Sequence, residues 1–269
     1  MTVFKALTIA GSDTSGGAGL QADLKTFQEF GVYGMTAVTV IVAQNPHNNW
    51  AHDIYPLSLE ALEAQIETVL AGIGVHALKT GMLATQEVIS LVAKKLDQYS
   101  VKNVVIDPVM ACKGAGEPLH PESAFSIRDL LAPRATIITP NIFEATQLSG
   151  LSSIQSVEDM KQAAREIYKL GPQNVLIKGG SKIDTPEAVD VLYDGHEFTI
   201  LSSPKVDTQY THGAGCTYAA AITAGLAKGR SVKDAVAHAK TFITLAIKHS
   251  FPLNEYVGPT FHAAHRLKK

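Results

Sequence analysis

The chain of 269 residues has two cysteines, Cys112 and Cys216, no long apolar run and almost no excess of either charge, with a formal net charge of −2. Each shortage excludes something. Two thiols cannot staple a chain of this size, and they read as the reduced cysteines of a cytosolic protein. Without an apolar stretch of about 20 residues, no membrane-spanning helix is expected. Lys and Arg number 23 against 25 Asp and Glu, and no basic cluster stands out, so no nucleic-acid footprint is expected. Met1 to Lys5 leads straight into an apolar run with no signal-type core or cleavage site, so a cytoplasmic enzyme is expected. No repeat, linker or low-complexity stretch divides residues 1–269, which are read as one domain. At 46 % hydrophobic and 18 % charged, the chain can bury a sizeable core.

Strand and helix signals alternate almost throughout. Phe4 to Gly11 is a short apolar run ending in glycine, and a helix follows from about Ala18 to Phe30, with Gly31 as its stop. Met35 to Ala43 is β-branched and reads as a strand, and Pro46 to Pro56 reads as a polar loop. Ser58 caps a helix to Ala71. Ala77 to Thr80 is a strand, Thr85 to Tyr99 a helix and Asn103 to Val109 a strand. A glycine-containing loop, about 110–120, precedes a helix over Pro121 to Leu131. Ala135 to Thr139 is a strand, and Ser156 with Asp159 makes a capping box for a helix ending near Leu170. Asn174 to Ile177 is a strand, and Asp194-Gly195 turns a hairpin between Ala188–Tyr193 and Glu197–Leu201. Helices over Tyr218 to Lys228 and Ser231 to His249 close the chain. Near-continuously apolar strands joined by helices predict an α/β fold: a three-layer α/β/α sandwich around a mostly parallel sheet, with an antiparallel hairpin at one edge.

In such a sheet, ligands lie beyond the C-terminal strand ends. Those ends carry Gly11, Gln44, Gly81, Asp107, Asn141 and Lys178, and the chain then reaches Thr211-His212-Gly213-Ala214-Gly215-Cys216-Thr217. That small-residue turn opens onto a helix, whose first N–H groups have no internal partners and favour an anion. A thiol there has its pKa lowered, although a buried, inert cysteine is the plainer reading. Asp107 and Glu144 suit a hydrated Mg²⁺ beside phosphate, or else they are a turn residue and an early-helix acid. Lys178 faces phosphates or is a solvated strand end. Asp23 and Gln44 could bond a planar heterocycle, with a solvated helix face as the alternative for Asp23. His212 has no zinc-ligand spacing around it and reads as a turn residue. The Gly11 to Gly19 segment has neither Rossmann spacing nor a P-loop lysine. Phosphoryl transfer asks mainly for positioning and charge stabilisation, which this set supplies, with Cys216 taking the proton of an attacking hydroxyl.

The Thr211–Cys216 turn, Asn141-x-x-Glu144 and Gly11–Gly19 with Gln21-Ala22-Asp23 resemble the ribokinase-like superfamily over essentially the whole chain. Within it they resemble the branch of hydroxymethylpyrimidine (phosphate) kinases and the related pyridoxal kinases. The resemblance implies ATP as co-substrate, Mg²⁺ with a monovalent cation as an optional companion, and a homodimer. It implies an anion hole at Gly213, Ala214 and Gly215, with Cys216 at the catalytic base position. Asn141 and Glu144 match the family's Asn-x-x-Glu motif, which serves Mg²⁺ and phosphate, and Lys178, Gly179 and Gly180 match an ATP-contact segment; Lys182 and Lys240 are also expected on the ATP side, and Asp107 beside Glu144 at the metal. Asp23 and Gln44 match positions that contact the pyrimidine in hydroxymethylpyrimidine kinases, and the loop at Cys112 matches a flexible lid; Gly11, Gly81, Met82 and Val109 are expected beside them on the substrate side.

The lid cysteine in Val109–Gly114 and the tail from Phe251 to Pro259 look like the Gram-positive pyridoxal kinases, whereas Ala43-Gln44-Asn45 looks like the hydroxymethylpyrimidine kinases. The expected reaction is phosphorylation of the hydroxymethyl group of pyridoxal, pyridoxine or pyridoxamine, with the pyrimidine as alternative. Two readings of Cys216 stand: a general base, or a thiolate that adds to the aldehyde of pyridoxal while Cys112 moves protons. The rivals are a cysteine-nucleophile hydrolase, which lacks a histidine partner at a strand end, and a non-catalytic ligand sensor.

Overall fold

A computed structural model describes residues 2–110 and 121–267. Among them, nine strands form one sheet in the order β3-β2-β1-β4-β5-β6-β7-β8-β9. The strands are β1 (Lys5–Asp13), β2 (Tyr33–Asn45), β3 (Ala51–Pro56), β4 (Ala77–Thr80), β5 (Val104–Ile106), β6 (Ile137–Ile138), β7 (Val175–Gly180), β8 (Glu187–Tyr193) and β9 (Phe198–Pro204). The six strands from β2 to β7 run parallel, and β3, β8 and β9 extend the two edges in antiparallel pairings. Chain order reverses at β1, which lies between β2 and β4. A crevice opens at such a switch point, beyond the carboxyl ends of the strands.

The helices are α1 (Gly19–Glu29), α2 (Leu59–Leu70), α3 (Gln86–Tyr99), α4 (Pro121–Ser126), α5 (Ile142–Ser149), α6 (Val157–Tyr168), α7 (Ala214–Ala227) and α8 (Val232–Lys248). Successive strand residues point to opposite faces. Val104 and Ile106, Ile138, Val175 and Ile177 therefore pack beneath α2, α3, α5 and α6. Their neighbours Val105, Ile137 and Leu176 pack beneath α1, α7 and α8. Two apolar faces require two helical layers, which is the expected three-layer arrangement. Helix α7 is buried along most of its length, and its alanines and glycines bring α8 close: a Cβ on Gly225 would lie 2.8 Å from that of Ala235.

Three differences from the sequence reading bear on the site. The stretch 46–56 is not all loop. Ala51–Pro56 forms β3, paired so that His52 stands opposite Gln44. Its half-exposed, polar face hides the alternation that marks a strand. The helix expected from Tyr218 begins at Ala214, so Ala214, Gly215 and Cys216 form its first turn. The helix over Pro121 to Leu131 widens into a π-turn at Ile127–Leu131. The expected lid, 111–120 with Cys112, lies outside the described residues.

Candidate active site

The site is assembled by backbone first. Gly213 is the N-cap of α7 and holds φ +74°; a Cβ there would sit 1.8 Å from the Gly17 carbonyl oxygen. Only glycine lets the two loops close on each other this way. No side chain caps α7; the Ala214 N–H donates to the Thr211 carbonyl at 3.2 Å, and the Gly215 and Cys216 N–H groups that follow are left for the cavity in front of them. Gly19, at φ +55°, is equally constrained by the Gly11 carbonyl at 2.3 Å from its would-be Cβ.

Two pockets meet at that helix end. The first, about 210 Å³, lies against the ends of β1, β2, β4 and β5 and is lined by Gly11, Gln44, Gly81, Met82 and Val109, with Gly213 and Cys216 opposite. The second, about 320 Å³, lies between β7, β8, α7 and α8 and is lined by Gly179, Gly180, Lys182 and Lys240. Asn141, Lys178, Ala214 and Gly215 line both. Asp107 and Glu144 line the first pocket.

Charge is distributed unevenly over this surface. At the β1–β3 end, Asp13 Oδ1 accepts from the Ser15 N–H and hydroxyl and from the Gln44 amide at 2.7 Å, and Oδ2 accepts from the Ala18 N–H. His212 Nε2 lies 2.7 Å from the same Oδ2. Burial works against the Asp13 charge, but His212, Ser15 and Gln44 outweigh it and hold the carboxyl well below its ordinary range. His52 faces the pocket beside this group, and its Nδ1 is buried without a hydrogen-bond partner.

At the β5–β7 end, Lys178 Nζ donates to Asp107 Oδ1 at 2.9 Å. Asn141 caps α5 reciprocally with Glu144: its N–H donates to Glu144 Oε2 at 2.8 Å, and its Oδ1 accepts from the Glu144 N–H. Burial pushes the Glu144 carboxyl up to about 7, against the pull of Lys178 and with the repulsion of Asp107 added. Two carboxylates thus share one lysine, an excess of negative charge that fits a divalent cation. Among the described residues, no cluster of three or more His, Cys, Asp or Glu could hold a metal by itself. That donor set suits Mg²⁺, which takes one or two carboxylates and completes its shell with water and phosphate oxygens.

Three sequence expectations need correction. Asp23 does not face the pocket; it is fully buried one layer below, bonded by the Thr8 hydroxyl at 2.6 Å and by Lys79 Nζ at 2.8 Å. The Lys240 amine reaches the second pocket but is committed to Asp190 Oδ2 at 2.7 Å and the Ala188 carbonyl at 3.1 Å. The Cys216 thiol is not lowered: burial pushes it up to about 12, against the attraction of Lys79. A helix terminus offsets only part of a desolvation cost.

The sequence reading passed over Asp13, His52 and Lys79, and it assigned His212 to the turn alone. Lys79 had a visible signal, a lysine in the middle of a four-residue apolar strand. Zinc-ligand spacing gives no sign of the role of His212, because its partner Asp13 lies 199 positions away. Pairings at that distance are not readable from local pattern.

Comparison with known proteins fits this geometry. The family model described as phosphomethylpyrimidine kinase matches residues 13–261. A pyridoxine kinase of Bacillus subtilis (strain 168) is 60 % identical over 269 residues, covering 100 % of this chain and 99 % of the relative. The ADP complex of Bacillus subtilis pyridoxal kinase superposes with a TM-score of 0.96 at 60 % identity, covering 99 % of this chain and 100 % of that one. The Staphylococcus aureus pyridoxal kinase in complex with AMP-PCP and pyridoxal superposes with a TM-score of 0.93 at 47 % identity, covering 98 % and 95 %.

Proposed function

The chain belongs to the phosphomethylpyrimidine kinase family, and from that premise we propose that it transfers the γ-phosphoryl group of ATP to the hydroxymethyl group of pyridoxal, pyridoxine or pyridoxamine. The observation that carries this reading is the junction of two pockets at the N-terminus of α7, where Gly215 and Lys178 line both. One pocket takes the heterocycle and the other the nucleotide. The phosphoryl group passes between them across uncapped helix N–H groups.

The residues divide the work. The N–H groups of Gly215 and Cys216 and the Lys178 ammonium receive the charge of the transferred group. Gln44 and His52 bond the polar edge of the ring, and Gly11, Gly81, Met82 and Val109 enclose it. Asp107 and Glu144 are the residues that would hold Mg²⁺. When bound, the metal would supply Lewis-acid charge neutralisation. Cys216 accepts the proton of the attacking hydroxyl. Gly179, Gly180 and Lys182 line the nucleotide side. The active form in this reading is a cytoplasmic homodimer. Among the described residues, no helix is long and apolar enough to cross a membrane.

A second substrate reading has support in the family model itself, whose description is a phosphomethylpyrimidine kinase, and in Gln44. Hydroxymethylpyrimidine offers the same hydroxymethyl group on a six-membered nitrogen heterocycle. ADP release with Mg-ATP, compared as kcat/KM for pyridoxal, pyridoxine and hydroxymethylpyrimidine in one preparation, tests both. A preference for the B6 vitamers is expected. Preference for the pyrimidine replaces the first reading with the second, and ADP release with none of the three overturns both.

A further inference from the structure

Beneath the first pocket lies a charged pair that the reaction described so far does not use. Lys79 on β4 and Asp23 on α1 are both fully buried, with Nζ 2.8 Å from Oδ2. Asp23 has a second donor in the Thr8 hydroxyl, and its Oδ1 has no hydrogen-bond partner. A buried ion pair is a poor way to stabilise a fold: removing two charges from water costs more than most pairs return, and an apolar pair of similar volume packs as well or better. The sequence around the pair is otherwise suited to such packing, since Ala77 and Leu78 are fully buried and apolar.

The pair is also oriented. Lys79 lines the pocket together with Cys216, whereas Asp23 does not reach it. Its amine lies 3.4 Å from where a Cβ on Gly81 would stand, so the glycine at the end of β4 leaves room for it at the pocket floor. The positive end of the pair faces the site and the negative end faces α1.

We propose that Lys79 is a positioning residue for phosphoryl transfer: clamped by Asp23 beneath the pocket, its ammonium holds negative charge on the Cys216 sulfur so that the sulfur can take the substrate's proton. This rests on the kinase reading above. In that step the substrate O–H bond breaks and an S–H bond forms on Cys216. The freed oxygen bonds the γ-phosphorus as its bond to the ADP oxygen breaks, and the thiol later returns its proton to water. The thiolate is the form that needs help. Of the charged groups near Cys216, Asp107 after β5 and Asp23 on α1 oppose it, and Lys79 favours it. Lys178 on β7 also favours it but is bonded to Asp107. Burial works against the Lys79 charge, yet Asp23 and the groups at Cys216 and Asp107 outweigh it and keep the amine protonated.

The test removes the lysine charge alone and keeps a hydrogen-bond donor for Asp23, Lys79→Gln, because removing Asp23 as well would take away a charge that opposes the thiolate. Two quantities are read. One is the rate of iodoacetamide alkylation at Cys216 in the ligand-free chain, located by peptide mass spectrometry. The other is kcat against KM. Thiolate fraction sets the alkylation rate, and a tenfold loss corresponds to one pKa unit. The expected result is alkylation slower by about tenfold, a parallel fall in kcat, and KM values for ATP and heterocycle near those of the unaltered chain. Alkylation at the unaltered rate overturns the proposal whatever kcat does. Should that variant not fold, Asp23→Asn with Lys79→Gln removes both charges and is judged against Asp23→Asn alone by the same two readouts. Alkylation needs no substrate, so failure of the kinase reading and failure of the Lys79 role give different results.

Discussion

The two ends of the first pocket hold carboxylates in opposite conditions. Asp13, at the β1–β3 end, collects donors from Ser15, Ala18, Gln44 and His212 and stays ionised unaided. Glu144, at the β5–α5 end, is as deeply buried but shares one lysine with Asp107, and its carboxyl is pushed up to about 7. The first end is complete without a ligand, a fixed wall that anchors Gln44. The second is unfinished and gains most from a cation arriving with the nucleotide. A carboxylate equally hidden from water thus keeps its charge in one place and has it opposed in the other, and the number of donors around it makes the difference.

The largest effect expected from this contrast is at the unfinished end. Asp107→Asn removes a charge that Lys178 is bonded to and that the proposed Mg²⁺ would use, and kcat should fall by about 10²–10³. The Mg²⁺ concentration for half-maximal rate should rise with it. Steady-state rates across a Mg²⁺ titration measure both, and an unchanged Mg²⁺ dependence would break the comparison.

At the completed end the effect should be smaller and confined to the heterocycle. Asp13→Asn weakens charge-assisted bonds to Gln44 and His212, each worth about 1.5–3 kcal/mol, and KM for the heterocycle should rise by roughly 10- to 100-fold. KM for ATP should move little. The same variant sharpens the electrostatic claim. Because the folded-state pKa of Asp13 is depressed, its contribution is present above the ordinary carboxyl range and is lost as pH falls through the folded value. Chemical denaturation of the unaltered chain should show stability lost on acidification below about pH 4, and Asp13→Asn should lose less over that range.

The smallest effect concerns the frame of the unfinished end. Asn141→Ala deletes the side-chain half of the α5 capping box, and about 1 kcal/mol of stability should go with it. That is a fall in Tm of roughly 2–4 °C for a chain of this size, measured by thermal denaturation.

Much of the site was readable because its chemistry sits in short, local patterns. Small residues before a helix give an anion turn, and Asn141-x-x-Glu144 gives a cap, whatever surrounds them. Strand ends could be located by where apolar runs stop, and most residues found there do reach one rim: Gly11, Gln44, Gly81 and Lys178 line the first pocket. The strand β3 escaped because an edge strand with one wet face carries no apolar alternation. With it went His52, whose place opposite Gln44 exists only once β3 pairs with β2.

The sequence by itself determined the α/β alternation, the apolar strands that demand helices on both faces, and the small-residue turn at the head of α7, since periodicity and residue size are local properties. Only the tertiary structure decided the charge states. Asp23 became buried scaffold for Lys79, the Cys216 thiol went up where a helix terminus alone would bring it down, and Asp13 met His212 across most of the chain. Desolvation and distance to a partner set those outcomes, and neither exists until the chain has folded.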